Sequence, residues 1–243
     1  MQFASRMKHS ALIPLALLGC GLPAPPAAGP AGQELPDASV SLPPPDDTED
    51  EPGVDAAPRP DAQPRNRVLT QTTSEVVAPN ASIVCADEQD IHFDNSWYRV
   101  FDLATAGIAS GFHVTRVEVG VERAQSGNGA GQPVEVELHA VTGDIQNGDL
   151  TTLATTSQTV ADTLVSRVEF PIDAMVPAGT KLAVEVRVPD GENGGHRFVI
   201  GANNLGQTAP GYIRAPVCGD DNPTDLNAID AGGVHLLIDV AGE

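Results

Sequence analysis

The stretch Arg116-Val117-Glu118-Val119-Gly120-Val121-Glu122 sets valine against charged or small residues at every second position. Strict alternation is what a strand with one dry face and one wet face requires. The same period recurs where Val134, Val136 and Leu138 alternate with Glu135, Glu137 and His139. It recurs again where Leu182, Val184, Val186 and Val188 alternate with Ala183, Glu185 and Arg187. Further strands are expected over 97–103, 150–156, 165–170, 196–200, 211–214 and 234–240. Turn clusters rich in Gly, Asn and Asp separate them at 126–131, 143–148 and 190–195. No segment shows a 3.6-residue period. About nine short strands without helices predict an all-β domain, an antiparallel β-sandwich of jelly-roll or Greek-key type, with a closed barrel as the alternative. The glutamates at 118, 122, 135, 137 and 185 read as a solvated sheet face whose like charges discourage edge pairing.

Outside these strands the composition changes. The chain carries 33 acidic against 13 basic side chains, a net charge of -20, which argues against nucleic acid or an anionic membrane surface as its main partner. No stretch approaches the ~18 uninterrupted apolar residues of a membrane-spanning helix. Residues 1–19 have a basic start (Arg6, Lys8) and then an apolar run from Ala11 to Leu18, the layout of a secretory signal peptide. Between Gly21 and Asn66 fall 12 of the 21 prolines, and acids gather at Asp46, Asp47, Glu49, Asp50 and Glu51. Such a segment cannot bury enough apolar surface to offset its ordering entropy, so 20–66 is expected to be a disordered stalk reaching on the order of 100 Å. Residues 67–243 have the length of one domain and can bury a core without a metal.

The signal segment ends in Leu17-Leu18-Gly19-Cys20, which resembles the lipobox of bacterial lipoproteins. The resemblance implies cleavage before Cys20 and acylation of that cysteine, and more than one acyl chain gives stable anchoring. Gly21 follows instead of Asp, so the retention signal of inner-membrane lipoproteins is absent and an outer-membrane or surface location is expected. Cys85 and Cys218 then remain as an even pair in an oxidising compartment and are expected to form a disulfide. A bridge there would pin the two ends of the domain together.

Catalytic patterns are weak. Ser110 and His113 come nearest to a nucleophile with a base, but Gly107-Ile108-Ala109-Ser110-Gly111 lacks the GxSxG spacing. His92, His113, His139, His196 and His235 form neither HxH nor HExxH, so zinc has no local scaffold. No cofactor is required; calcium is a candidate at Asp144, Asn147 and Asp149 or at Asp220, Asp221, Asn222 and Asp225, although Asn and Asp are also what hairpin turns use. For a glycan, an aromatic plate with nearby amides is the usual device, which singles out Trp97, Tyr98 and Tyr212 with Asn203, Asn204 and Gln207.

The segments NSWYRVFDL, FHVTRVEVGVE, VEVELHAVTG, LAVEVRVPDG, FVIGANNLGQTAPGYIRAPVCG and PTDLNAI, spread from about Asp94 to Val240, resemble a β-sandwich accessory module of exported bacterial proteins, often appended to secreted proteases and surface proteins. The resemblance implies a non-catalytic module and brings no binding residues with it. The expected function is therefore that of a lipid-anchored, non-enzymatic envelope protein that binds or adheres to a glycan or protein. The alternatives are a structural envelope component that associates with a neighbouring protein and, remotely, a hydrolase with a dispersed site.

Overall fold

A computed structural model describes residues 66–243. The signal peptide expected over 1–19, the expected lipidation of Cys20 and all but the last residue of the stalk expected over 20–66 lie outside the described residues. The described strands are β1 (Arg67–Leu69), β2 (Asn95–Asp102), β3 (Phe112–Gln125), β4 (Gln132–Val141), β5 (Leu150–Val160), β6 (Thr163–Val176), β7 (Lys181–Val188), β8 (Arg197–Ile200), β9 (Ala202–Asn203), β10 (Gly211–Ala215), β11 (Asp220–Asp225), β12 (His235–Leu236) and β13 (Ile238–Gly242).

Two antiparallel sheets result. One runs β1-β13-β3-β6, with β8 also on β3; the other runs β11-β10-β2-β7-β4-β5, and β9 pairs β12 in a small ribbon. Let β1 to β7 and β13 be counted as eight framework strands in chain order. Their sheets then read 1-8-3-6 and 2-7-4-5, which is jelly-roll connectivity. Residues 197–236, carrying β8 to β12, are an insertion between the seventh and eighth framework strands. The expected sandwich is present, and the jelly-roll form of it is the one adopted.

Alternation explains the layers. Val117, Val119 and Val121 of β3 are fully buried and meet Val136, Leu138, Val184 and Val186 of the opposite sheet in one core that also holds Trp97, Phe101 and Phe170. Fully burying a side chain of this size contributes about 1.5–3 kcal/mol. Along one edge of β3, β13 pairs with residues 114–119 and β8 takes over at 121–125. Three backbones meet at the handover: Gly120 N–H donates to Leu237 O (2.7 Å), Gly201 N–H to Gly120 O (2.7 Å) and Leu237 N–H to Gly201 O (3.0 Å). A Cβ on Gly201 would lie 2.5 Å from the Gly120 carbonyl carbon, so only glycine fits.

Cys85 and Cys218 are bridged, with Cα atoms 6.1 Å apart. The bridge does not pin the domain's ends, as the sequence suggested. It ties the segment ahead of β2 to the 3-10 turn at Pro216–Cys218 inside the insertion. The ends are joined instead by backbone pairing, Arg67 opposite Gly242 and Leu69 opposite Val240. Buried Asn95 holds the Cys85 segment in place: its Oδ1 accepts from Cys85 N–H (2.9 Å), and its Nδ2 donates to the carbonyls of Cys85 (2.9 Å) and Phe93 (2.8 Å).

Candidate functional site

The aromatic residues singled out from the sequence separate. Trp97 points into the sandwich at 0% exposure, donates its indole N–H to Ile83 O (3.0 Å) and packs on Phe198, so it cannot serve as a binding plate. Tyr98, its neighbour on β2, points the other way and faces Tyr212 across the β2–β10 ladder. Both pack with Ile145 and Ala183 on the outer face of the six-stranded sheet, where Tyr98 is buried and Tyr212 half-buried. Burial raises the pKa of each phenol, for Tyr98 with help from the Glu185 charge and for Tyr212 from Asp225 and Asp144.

The amides lie elsewhere. Asn203 is fully buried and donates to Ser74 O (2.9 Å) and Val76 O (3.2 Å), a structural role that corrects its reading as a ligand group. Gln207 belongs to an isolated bridge with Thr72, and Asn204, next to Asn203 in sequence, is exposed. Ser110 and His113 do not form a dyad. No hydrogen bond joins them among the described residues; His113 sits between Asp173 (3.1 Å) and Glu243 (3.5 Å).

The two acidic clusters are engaged in turns. Asp144 accepts from Gln146 N–H (2.9 Å), and Asp149 accepts from Asp144 N–H (3.0 Å), which closes the 3-10 turn at Ile145–Asn147. Asp220, Asp221 and Asn222 lie along the extended β11, whose side chains alternate faces, and Asp225 accepts from the backbone and side-chain N–H groups of Asn227 (both 2.8 Å). The carboxylates at Asp220, Asp221 and Asp225 therefore do not converge as calcium would require.

A different polar group forms on the outer face of the six-stranded sheet. Glu137 on β4 stands directly opposite Glu185 on β7. His139, two residues along the same face of β4, places Nε2 3.1 Å from Glu185 Oε2 and 3.7 Å from Glu137 Oε2. His139 and Glu185 are buried and Glu137 is half-buried, so this part of the face is not the solvated glutamate surface that alternation suggested. Burial alone would raise the Glu185 carboxyl, but contacts to His139, Ser96 and Tyr98 together outweigh it and hold the group below its usual range. Glu137 is pushed upward by burial and by the Glu185 charge. Nearby, Arg187 is committed to both carboxylate oxygens of Asp94 (3.2 Å each) and reaches Glu135 (3.4 Å). The sequence search missed the trio because it looked for short spacings; the signal was a histidine and a glutamate two apart facing a glutamate on another strand.

The fold and these surfaces define an all-β jelly roll with a polar and aromatic outer sheet face. No family model and no curated protein matches the sequence. Among solved structures, one of the cysteine protease and lectin-like domains of Cwp84, a surface layer associated protein of Clostridium difficile, aligns with 63% of this chain and 32% of that chain at 16% identity and a TM-score of 0.47. A second, the clostridial cysteine protease Cwp84 in a cysteine-to-alanine variant after propeptide cleavage, aligns with 73% of this chain and 40% of that chain at 15% identity and a TM-score of 0.50. The chain thus spans less than half the length of either Cwp84 chain, and at this identity the likeness is one of fold.

Proposed function

We propose that this is an exported, lipid-anchored envelope protein whose jelly-roll domain binds a glycan or a protein and carries out no catalysis. The observation that carries the reading is where the chain enters the domain. Residue 66 leads into β1, in the five-stranded sheet, so the outer face of the six-stranded sheet belongs to the layer away from that point. On that face Tyr212 packs with Tyr98 and Ile145, Arg214 follows two residues along the same face of β10, and Arg214 reaches toward Asp94 at 3.9 Å. An apolar ring beside directional polar groups suits a sugar or a peptide. The Leu17-Leu18-Gly19-Cys20 pattern supports the anchor, and the description of Cwp84 as surface layer associated accords with display at the cell surface.

The test is a glycan array together with an envelope pull-down, using folded wild type and Tyr212→Ala. The expected outcome is a ligand whose binding weakens by about tenfold or more in the variant, with the melting temperature little changed. Folded wild type that binds nothing, or binding indifferent to Tyr212, would defeat the reading. Trp97 is unsuitable as a probe because its removal damages the core. In the same preparations, intact mass should show an acylated species that disappears in Cys20→Ala.

A further inference from the structure

We propose that Glu137, His139 and Glu185 form a site for a divalent transition cation of the zinc class, with a coordination position left open to solvent or to a group from a bound partner. The register creates the need for a cation. Two carboxylates directly opposite on adjacent strands repel each other, and a sheet keeps such a pair only with compensation. Arg187, two residues along the same face of β7, is held by Asp94 and Glu135 and is not free to balance the pair. One divalent ion with two carboxylates and a neutral imidazole makes a group of zero net charge.

The spacing fits. The donor atoms of the three residues all lie within 4.8 Å of one another, with the histidine contacts at 3.1 and 3.7 Å. Tetrahedral zinc with bonds of about 2.0–2.1 Å sets its ligand atoms roughly 3.3 Å apart, so little movement is needed. The ring is also oriented: His139 Nδ1 is 3.1 Å from Thr152 Oγ1, which leaves Nε2 turned to the carboxylates. The ladder is adjusted to allow this contact. Between Leu138–Ala154 and His139–Thr152 the β4–β5 register slips by one residue of β5, a bulge that brings Thr152 opposite the histidine.

An independent sign comes from β2. Ser96 Oγ, on the same outer face, is fully buried and close enough to Glu185 and Tyr98 to influence both, yet it makes no well-formed hydrogen bond. A buried hydroxyl left in this state beside a carboxylate is costly unless the site is completed by something more. The donor set selects the ion, since calcium and magnesium take oxygen-rich shells whereas imidazole with carboxylate suits zinc and its neighbours. Solvent reaches the trio past Glu137, whose side chain is the most exposed of the three at 21%.

The experiment titrates metal-stripped full-length protein with Zn2+ against a chromophoric chelator, with Ca2+ in parallel. The expected result is one zinc per chain and a melting temperature raised by zinc. Affinity should drop by more than about tenfold in Glu137→Gln, a half-exposed change that preserves the fold, and by about tenfold in Thr152→Val through loss of ring orientation. His139→Gln should abolish the zinc-dependent rise in melting temperature. Binding of several equivalents indifferent to these variants would show only adsorption to the acidic chain and would overturn the site. Preference for Ca2+ over Zn2+, or no zinc bound in the micromolar range, would overturn it as well.

Discussion

The eight framework strands and the 197–236 insertion hold their residues by different means. The framework does so by alternation: β3, β4, β6 and β7 each present a row of apolar side chains to a common core. The insertion sends Phe198, Ile200, Ile213, Leu226 and Leu236 into that same core and adds polar ties to its surroundings. Arg99, fully buried on framework strand β2, donates through Nε and Nη2 to Leu236 O (3.1 and 2.9 Å) and through Nη1 to Ala209 O (2.7 Å). Burial draws its pKa down to about 10, which still leaves it charged at neutral pH. The Cys85–Cys218 bridge and the buried Asn203 amide add two more ties to the segment ahead of β2. The contrast suggests a rigid shell carrying a stapled attachment, and substitutions in the two regions should differ in kind.

The largest effect is expected in the framework. Trp97→Ala should cost about 3–5 kcal/mol and lower the stability of the whole domain in urea unfolding, because it empties the centre of the core. Removing the bridge in Cys85→Ser/Cys218→Ser should cost about 2–4 kcal/mol, mostly by freeing the unfolded chain. Arg99→Met should cost about 2 kcal/mol through three orphaned or weakened carbonyl contacts. Hydrogen exchange should then rise over 197–236 more than in β3, β4 or β7. Equal acceleration in both regions would mean that shell and attachment open as a single unit.

The smallest expected effect is on pH dependence, and it also divides by region. His92, in the segment facing the loop that leads to the insertion, is depressed by burial, despite contacts to Phe93 O (3.0 Å) and Gln132 (3.3 Å) that oppose the shift. Its folded value lies below the unfolded one, so stability should fall as pH drops below about 6.5, where the unfolded chain takes up a proton that the folded chain resists. His113 on β3 is raised by its hydrogen bond to Asp173. Its contribution is present below about 6.5 and is lost as pH rises through the raised value. Melting curves across pH should lose their acid arm in His92→Gln and their alkaline arm in His113→Gln.

These regions were not equally legible in the sequence. The framework could be read because its valines alternate, and 117–121, 134–138 and 182–188 all lie in strands of the sandwich. The strand β11, Asp-Asp-Asn-Pro-Thr-Asp, could not be read that way. It is an edge strand with no apolar alternation, and its Pro223 is tolerated because only one side of the strand needs to pair. The expected strand at 234–240 is in fact two, β12 and β13, because the backbone changes partner at Leu237. Tyr212 was legible as an aromatic following a run of amides and Trp97, the single tryptophan, as the better candidate for the core, but the sheet face that each side chain takes needed the register. The Glu137–His139–Glu185 trio depends on β4 and β7 being neighbours with a particular register, which no local pattern encodes.

The way the chain enters the sandwich also matters for force. A pull arriving through residue 66 first meets the three-residue β1–β13 pairing, a short seam that can be peeled. Next come single contacts, Gln71 Nε2 to Val100 O (2.5 Å) and the Asn203 amide on Ser74 and Val76. The first covalent resistance is at Cys85, whose sulfur is fixed to Cys218. Under load, residues 67–84 can therefore pay out as a shock absorber, after which the strain passes through a bond that does not creep.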